Sequence, residues 1–197
     1  MEKRVALYQT NIDTEYYRKK ILKNELKIIT KYPPKTWDLS RNFDGGTGLG
    51  FNSLTSRSCH FNLLKWFGTK SIRKCIREKY NHYTNKQNKS IYVQCWANVM
   101  RYGEKIKPHS HDDLLPSIER VSGHIVVYAD TLTNTYYENN PVQNINGQLT
   151  LFPSNLVHWT DTYLGNSERI TIAFDIKTYE DWKYEVFDAA KSHWVKL

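Results

Sequence analysis

The chain has 197 residues, 40% hydrophobic and 14% aromatic, including six Trp and fourteen Tyr. That supplies the core of one ordinary domain and excludes an intrinsically disordered chain, and no apolar run approaches the ~20 residues a membrane helix needs. The net charge of +8 suits an anionic substrate or partner, such as nucleic acid, an anionic glycan or an acidic protein. No RNA- or DNA-binding motif accompanies it, and the spread lysines also fit two solvated helix faces.

Met1-Glu2-Lys3-Arg4 has neither the apolar core nor the cleavage site of a signal peptide, so a cytoplasmic protein is expected. From Thr14 to Ile29, Tyr17, Ile21, Leu22, Leu26 and Ile29 recur at helical spacing with lysines opposite. Asp13 or Thr14 can cap this helix, and Pro33-Pro34 ends it. The glycine-rich stretch Asp44–Gly50 lacks the Lys-Ser/Thr of a phosphate loop and reads as a turn or a lid near a cleft. A second helix is predicted from Asn62 to Tyr80, burying Leu63, Leu64, Phe67, Ile72, Cys75 and Ile76. Cys59, Cys75 and Cys95 are odd in number and widely spaced, which fits reduced structural thiols rather than disulfides or a Cys-x-x-Cys zinc site.

From Ser90 the pattern turns to strands: Ile91–Met100, Ile106–His111, Arg120–Ala129, Gln148–Phe152 and Arg169–Ile176. Tyr102-Gly103, Asn139-Asn140-Pro141 and Asn146-Gly147 mark turns between them. A last helix is predicted over roughly Tyr179 to Lys191. The expectation is an α+β, mainly β, single domain over 1–197. It comprises a helical support (1–89), a sandwich or jelly-roll core (90–177) and a C-terminal helix (178–197).

On a strand, His109, His111 and Asp113 alternate onto one face. His158, after Phe152-Pro153-Ser154, offers a distant imidazole to the same site. His111, Asp113 and His158 would form a two-histidine, one-carboxylate face, which leaves several positions open and suits non-heme Fe(II). His109, His111 and His158 form the alternative set. The carboxylate offsets part of the metal's charge, which favours the set with Asp113.

Over residues 96–177 the chain resembles the 2-oxoglutarate- and Fe(II)-dependent oxygenase superfamily. More closely, it resembles the small oxygenase-like proteins common in marine bacteria and their phages. The matching residues are Trp96-Ala97-Asn98, His109-Ser110-His111, Ser122-Gly123, Gly147 to Ser154, His158 and Glu168-Arg169-Ile170-Thr171. The first ninety residues match only loosely.

The resemblance implies a double-stranded β-helix (cupin-like) core, with Fe(II), 2-oxoglutarate and O2 as cofactor and cosubstrates. It makes His158 the distal ligand and aims the planar fork of Arg169 at the far carboxylate of 2-oxoglutarate, with the Thr171 hydroxyl beside it. Asn98 and Tyr128, on inner strands, are further candidates to touch the cosubstrate. The superfamily pattern His-x-Asp selects His111 and Asp113, and the closer His-x-His pattern selects His109 and His111. The implied activity is hydroxylation of an unidentified substrate with conversion of 2-oxoglutarate to succinate and CO2. A non-catalytic metal-binding β-sandwich for a glycan or nucleic acid is the alternative, and it has no need of Arg169 and Thr171. The other histidines, His60, His82, His124 and His193, read as surface or hydrogen-bonded core residues.

Overall fold

Two antiparallel sheets carry the site. The computed structural model describes residues 5–33, 48–50, 52–66, 68–87, 90–111, 120–130, 132–183 and 193–197. Among these, β1 is Ala6–Gln9, β2 Ile91–Met100, β3 Val121–Tyr128, β4 Asn134–Tyr137, β5 Asn140–Gln143, β6 Gln148–Pro153, β7 His158–Thr160, β8 Arg169–Thr178 and β9 Val195–Lys196. The helices are α1 Thr14–Lys31, α2 Leu63–Trp66, α3 Lys70–Thr84 and α4 Tyr179–Lys183. The large sheet runs β1-β6-β3-β8-β2-β9 and the small one β5-β4-β7. This is an α+β jelly roll with the layout of a double-stranded β-helix.

The two faces of the large sheet differ in chemistry because side chains alternate along each strand. One face presents Val93, Cys95, Ala97 and Val99 of β2, Ile125 of β3, Leu149 and Leu151 of β6, and Ile170, Ile172 and Phe174 of β8. Helices α1 and α3 close over it with Ile21, Ile28, Ile72 and Ile76, all fully buried. The other face presents Trp96, Asn98, Ser122, His124, Arg169, Thr171 and Asp175. Register sets Asn98 opposite Thr171, Trp96 and His124 opposite Ala173, and Ser122 opposite Asp175. Burial on both faces gives β2 and β8 their nearly unbroken buried pattern.

Asp13 caps α1 by accepting from Tyr16 N at 2.9 Å. The helix predicted over Asn62–Tyr80 is two helices, broken near Gly68, which sits at φ 61 where a side chain is disfavoured. Phe67 lies outside the described residues, as do Asp44–Thr47 of the glycine-rich stretch. The predicted strand Ile106–His111 is instead a single bridge, His109 to His158; Pro108, lacking an N–H, cannot extend a ladder. The stretch between Asp130 and Asn146, where no strand is predicted, contains the β4–β5 hairpin, turning at Glu138 with φ 54. At the C-terminal end α4 spans five residues, and the remainder of that predicted helix falls in 184–192, outside the described residues. Among the described residues no helix is long and apolar enough to cross a membrane.

Candidate metal centre

Main-chain bonds bring the three histidines together. His109 N donates to His158 O at 3.1 Å, and His158 N returns a bond to His109 O at 2.9 Å. His111 N donates to Ser154 O at 2.8 Å, which ties the same segment to the end of β6. The ring centroids of His109 and His158 lie 4.3 Å apart, those of His109 and His111 5.2 Å, and those of His111 and His158 5.0 Å. One ring nitrogen from each falls within 4.8 Å of the others.

Each Nδ1 has an acceptor. His109 Nδ1 donates to Lys107 O at 2.8 Å, His158 Nδ1 to Leu156 O at 3.0 Å and His111 Nδ1 to the Asp175 carboxylate at 2.5 Å. With these acceptors a neutral ring carries its proton on Nδ1 and turns its Nε2 lone pair inward. Nε2 of His109 and Nε2 of His111 stand 3.2 Å apart. Two lone pairs at that separation repel unless a cation lies between them. Nitrogens bound at right angles, each about 2.1 Å from one ion, are about 3 Å apart. Burial, and then the neighbouring His111 and His109, hold His158 well below the ordinary histidine range, so its ring stays available to a metal. Asp113, the carboxylate favoured from the sequence, lies outside the described residues. The set assembled here is the alternative one with His109.

Behind the histidines a narrow cavity is lined by Trp96, Asn98, His124, Thr135, Phe152, Arg169 and Thr171, among others. Arg169 is buried there at 2% exposure. Its guanidinium donates to Met100 Sδ at 3.0 Å, Asn144 Oδ1 at 3.2 Å and Thr135 Oγ1 at 3.4 Å, while its Nε has no partner among the described residues. Burial pushes its pKa down to about 10, and among the described residues no carboxylate pairs with it. A buried cation so placed is matched to an anion entering the cavity. Thr171 Oγ1 accepts from Asn98 Nδ2 at 3.3 Å, and Asn98 Oδ1 is held by Thr55 Oγ1 at 2.6 Å and Trp96 Nε1 at 3.1 Å.

Tyr128 is not part of this cavity. A register shift between Val126 and Tyr128 turns its ring toward α1, where the Arg18 guanidinium lies 3.6 Å from the ring centroid. His124, read from the sequence as an ordinary histidine, lines the cavity instead. Its Nδ1 lies 3.4 Å from Tyr137 Oη, and burial, with Arg169 and His111 nearby, pushes its pKa down to about 3. Asp175, Asn144 and Thr135 were also not singled out from the sequence. Strand alternation from Thr171 and Ser122 points to Asp175 and His124, whereas nothing local marks Asn144 or Thr135.

No family model and no curated protein sequence matches the chain. Among solved structures it is similar to the 2-oxoglutarate complex of the viral collagen prolyl hydroxylase of Paramecium bursaria Chlorella virus-1. The TM-score is 0.59 at 12% identity, covering 89% of this chain and 97% of that one. It is also similar to a Pseudomonas putida prolyl-4-hydroxylase, with a TM-score of 0.50 at 10% identity, covering 88% and 92%. At these identities the likeness is one of fold. Within this fold, the inward-facing imidazoles could hold a divalent metal and Arg169 could receive a carboxylate.

Proposed function

We propose that the protein is a 2-oxoglutarate- and Fe(II)-dependent dioxygenase that hydroxylates an as yet unidentified substrate. One observation carries this reading: three converging imidazoles share a cavity with a buried guanidinium that has no carboxylate partner among the described residues. Ferrous iron with 2-oxoglutarate supplies, when bound, the O2-dependent decarboxylation to succinate and CO2 that drives hydroxylation of a C–H bond. The donor set fits the metal, because neutral imidazole nitrogens on one side leave coordination positions open.

The chain's own residues bind and orient. His109, His111 and His158 present Nε2 to the metal. Arg169 offers a planar fork to the far carboxylate of the cosubstrate, and Thr171, held by Asn98, can donate its hydroxyl to the same group. Phe152, with its ring centroid 4.6 Å from that of His158, and Trp96, 5.7 Å from that of His111, wall the site against water. His124 lines the same cavity, and burial with Arg169 and His111 nearby keeps it neutral, so it adds no second positive charge. The net charge of +8 favours an anionic substrate.

The test is aerobic incubation with Fe(II), ascorbate and 2-oxoglutarate, reading succinate. Wild type should form succinate even without substrate, and His158→Ala should lose at least ~100-fold of that rate by removing a metal ligand. A metal-loaded wild type that makes no succinate with anionic candidates present would instead favour the non-catalytic metal-binding module.

A further inference from the structure

We infer that Asp175 is a positioning residue of the metal centre, supplying through His111 the negative charge that three neutral imidazoles lack. This rests on reading the histidine triad as a metal site. The argument begins with how each ring is oriented. His109 and His158 each donate from Nδ1 to the carbonyl two residues before them, Lys107 and Leu156. For His111 the equivalent carbonyl belongs to His109, and the bridge to β7 already engages it, because His158 N donates to it at 2.9 Å. His111 reaches across the barrel instead and meets Asp175 Oδ1 at 2.5 Å.

The carboxylate is itself fixed in place. Ser122 Oγ lies 2.6 Å from the same Oδ1, 3.1 Å from His111 Nδ1 and 2.9 Å from Ser154 Oγ. Ser122 faces Asp175 in the β3–β8 register, and Ser154 carries the carbonyl that accepts from His111 N. One short network thus sets the backbone, the tautomer and the ring plane of His111. His111 is thereby backed by an anion.

An ionised partner on the far nitrogen raises the donor strength of the near one, and removing such partners costs about 10- to 100-fold in metal affinity. Asparagine at 175 keeps a carbonyl oxygen for Nδ1 but removes the charge, so Asp175→Asn isolates the electrostatic contribution. The experiment is anaerobic titration of the full chain with Co(II), following visible ligand-field absorption, with unfolding midpoints measured in chelator. Asp175→Asn should bind Co(II) about 10- to 100-fold more weakly and shift the absorption bands, while its metal-free midpoint stays near wild type. Ser122→Ala keeps the charge but loosens the carboxylate, and should weaken binding several-fold, which also covers a failure of Asp175→Asn to fold. Wild-type affinity and spectrum in Asp175→Asn, or in Ser122→Ala should the other not fold, overturn the inference. A wild type that binds no Co(II) overturns the metal-centre reading itself, and the role of Asp175 with it.

Discussion

Arg169 is the residue whose energetics are most exposed to test. It holds a guanidinium in the protein interior with sulfur, amide and hydroxyl acceptors and no carboxylate among the described residues. Replacing a buried, poorly compensated ion with an apolar side chain of similar length is often neutral or stabilising, by about 1–4 kcal/mol. Arg169→Met should therefore leave the metal-free protein at least as stable as wild type by calorimetry. The same change should abolish the rise in melting temperature that Mn(II) plus 2-oxoglutarate gives wild type. A loss of several kcal/mol in the metal-free variant would mean that the charge is already compensated without a ligand. Arg169 was legible in the sequence through the resemblance carried by Glu168-Arg169-Ile170-Thr171, and Thr171 because it lies two residues on along the same strand face. Their surroundings were not, because Thr135 and Met100 come from β4 and β2 and Asn144 from just past β5, with nothing in their local spacing to link them to the site. The carboxylate at the triad followed the same logic. Asp113 is a neighbour in sequence, whereas Asp175 reaches His111 only through the register of β8.

At the scale of elements, the long strands were readable and the short ones were not. β2 and β8 are ten residues each and carry continuous apolar character because both faces are buried. β4 and β5 are four residues each, with Asn134, Asn140 and Pro141 among them, and their pairing is set by the hairpin rather than by composition. The Ser122-Gly123 pair of the sequence motif acquires a physical reason in the sheet. A Cβ at Gly123 would stand 2.5 Å from Thr150 O, 2.7 Å from Phe174 Cζ and 2.8 Å from Leu151 Cδ2. Relief requires β3 to move away from β6, which would displace the neighbouring Ser122 and His124 side chains from the cavity. Gly123→Ala should cost about 1–3 kcal/mol or more in urea unfolding and weaken metal binding with it.

For the whole molecule, acid sensitivity follows from histidines kept neutral inside. His124 titrates near 3 when folded and His193 near 4, both lowered chiefly by burial, against 6.5 for an exposed ring. As pH falls below 6.5 the unfolded chain takes up protons that these folded rings refuse. Stability is thus intact above 6.5 and is lost on acidification, by about 1.4 kcal/mol per pH unit for a fully buried ring such as His124. Urea unfolding of the metal-free protein at pH 6.5, 5.5 and 4.5 should show this decline, and His124→Phe should reduce its slope by about one proton. An unchanged slope would mean that His124 is solvated or charged in the folded state.

The mutual main-chain bonds of His109 and His158 have a mechanical consequence. Neither segment can pull away from the other without breaking two main-chain hydrogen bonds together, so these two imidazoles act as the fixed jaws of a caliper. Deuterium uptake at the two bridging amides should therefore be slow, and should rise together when the two segments separate.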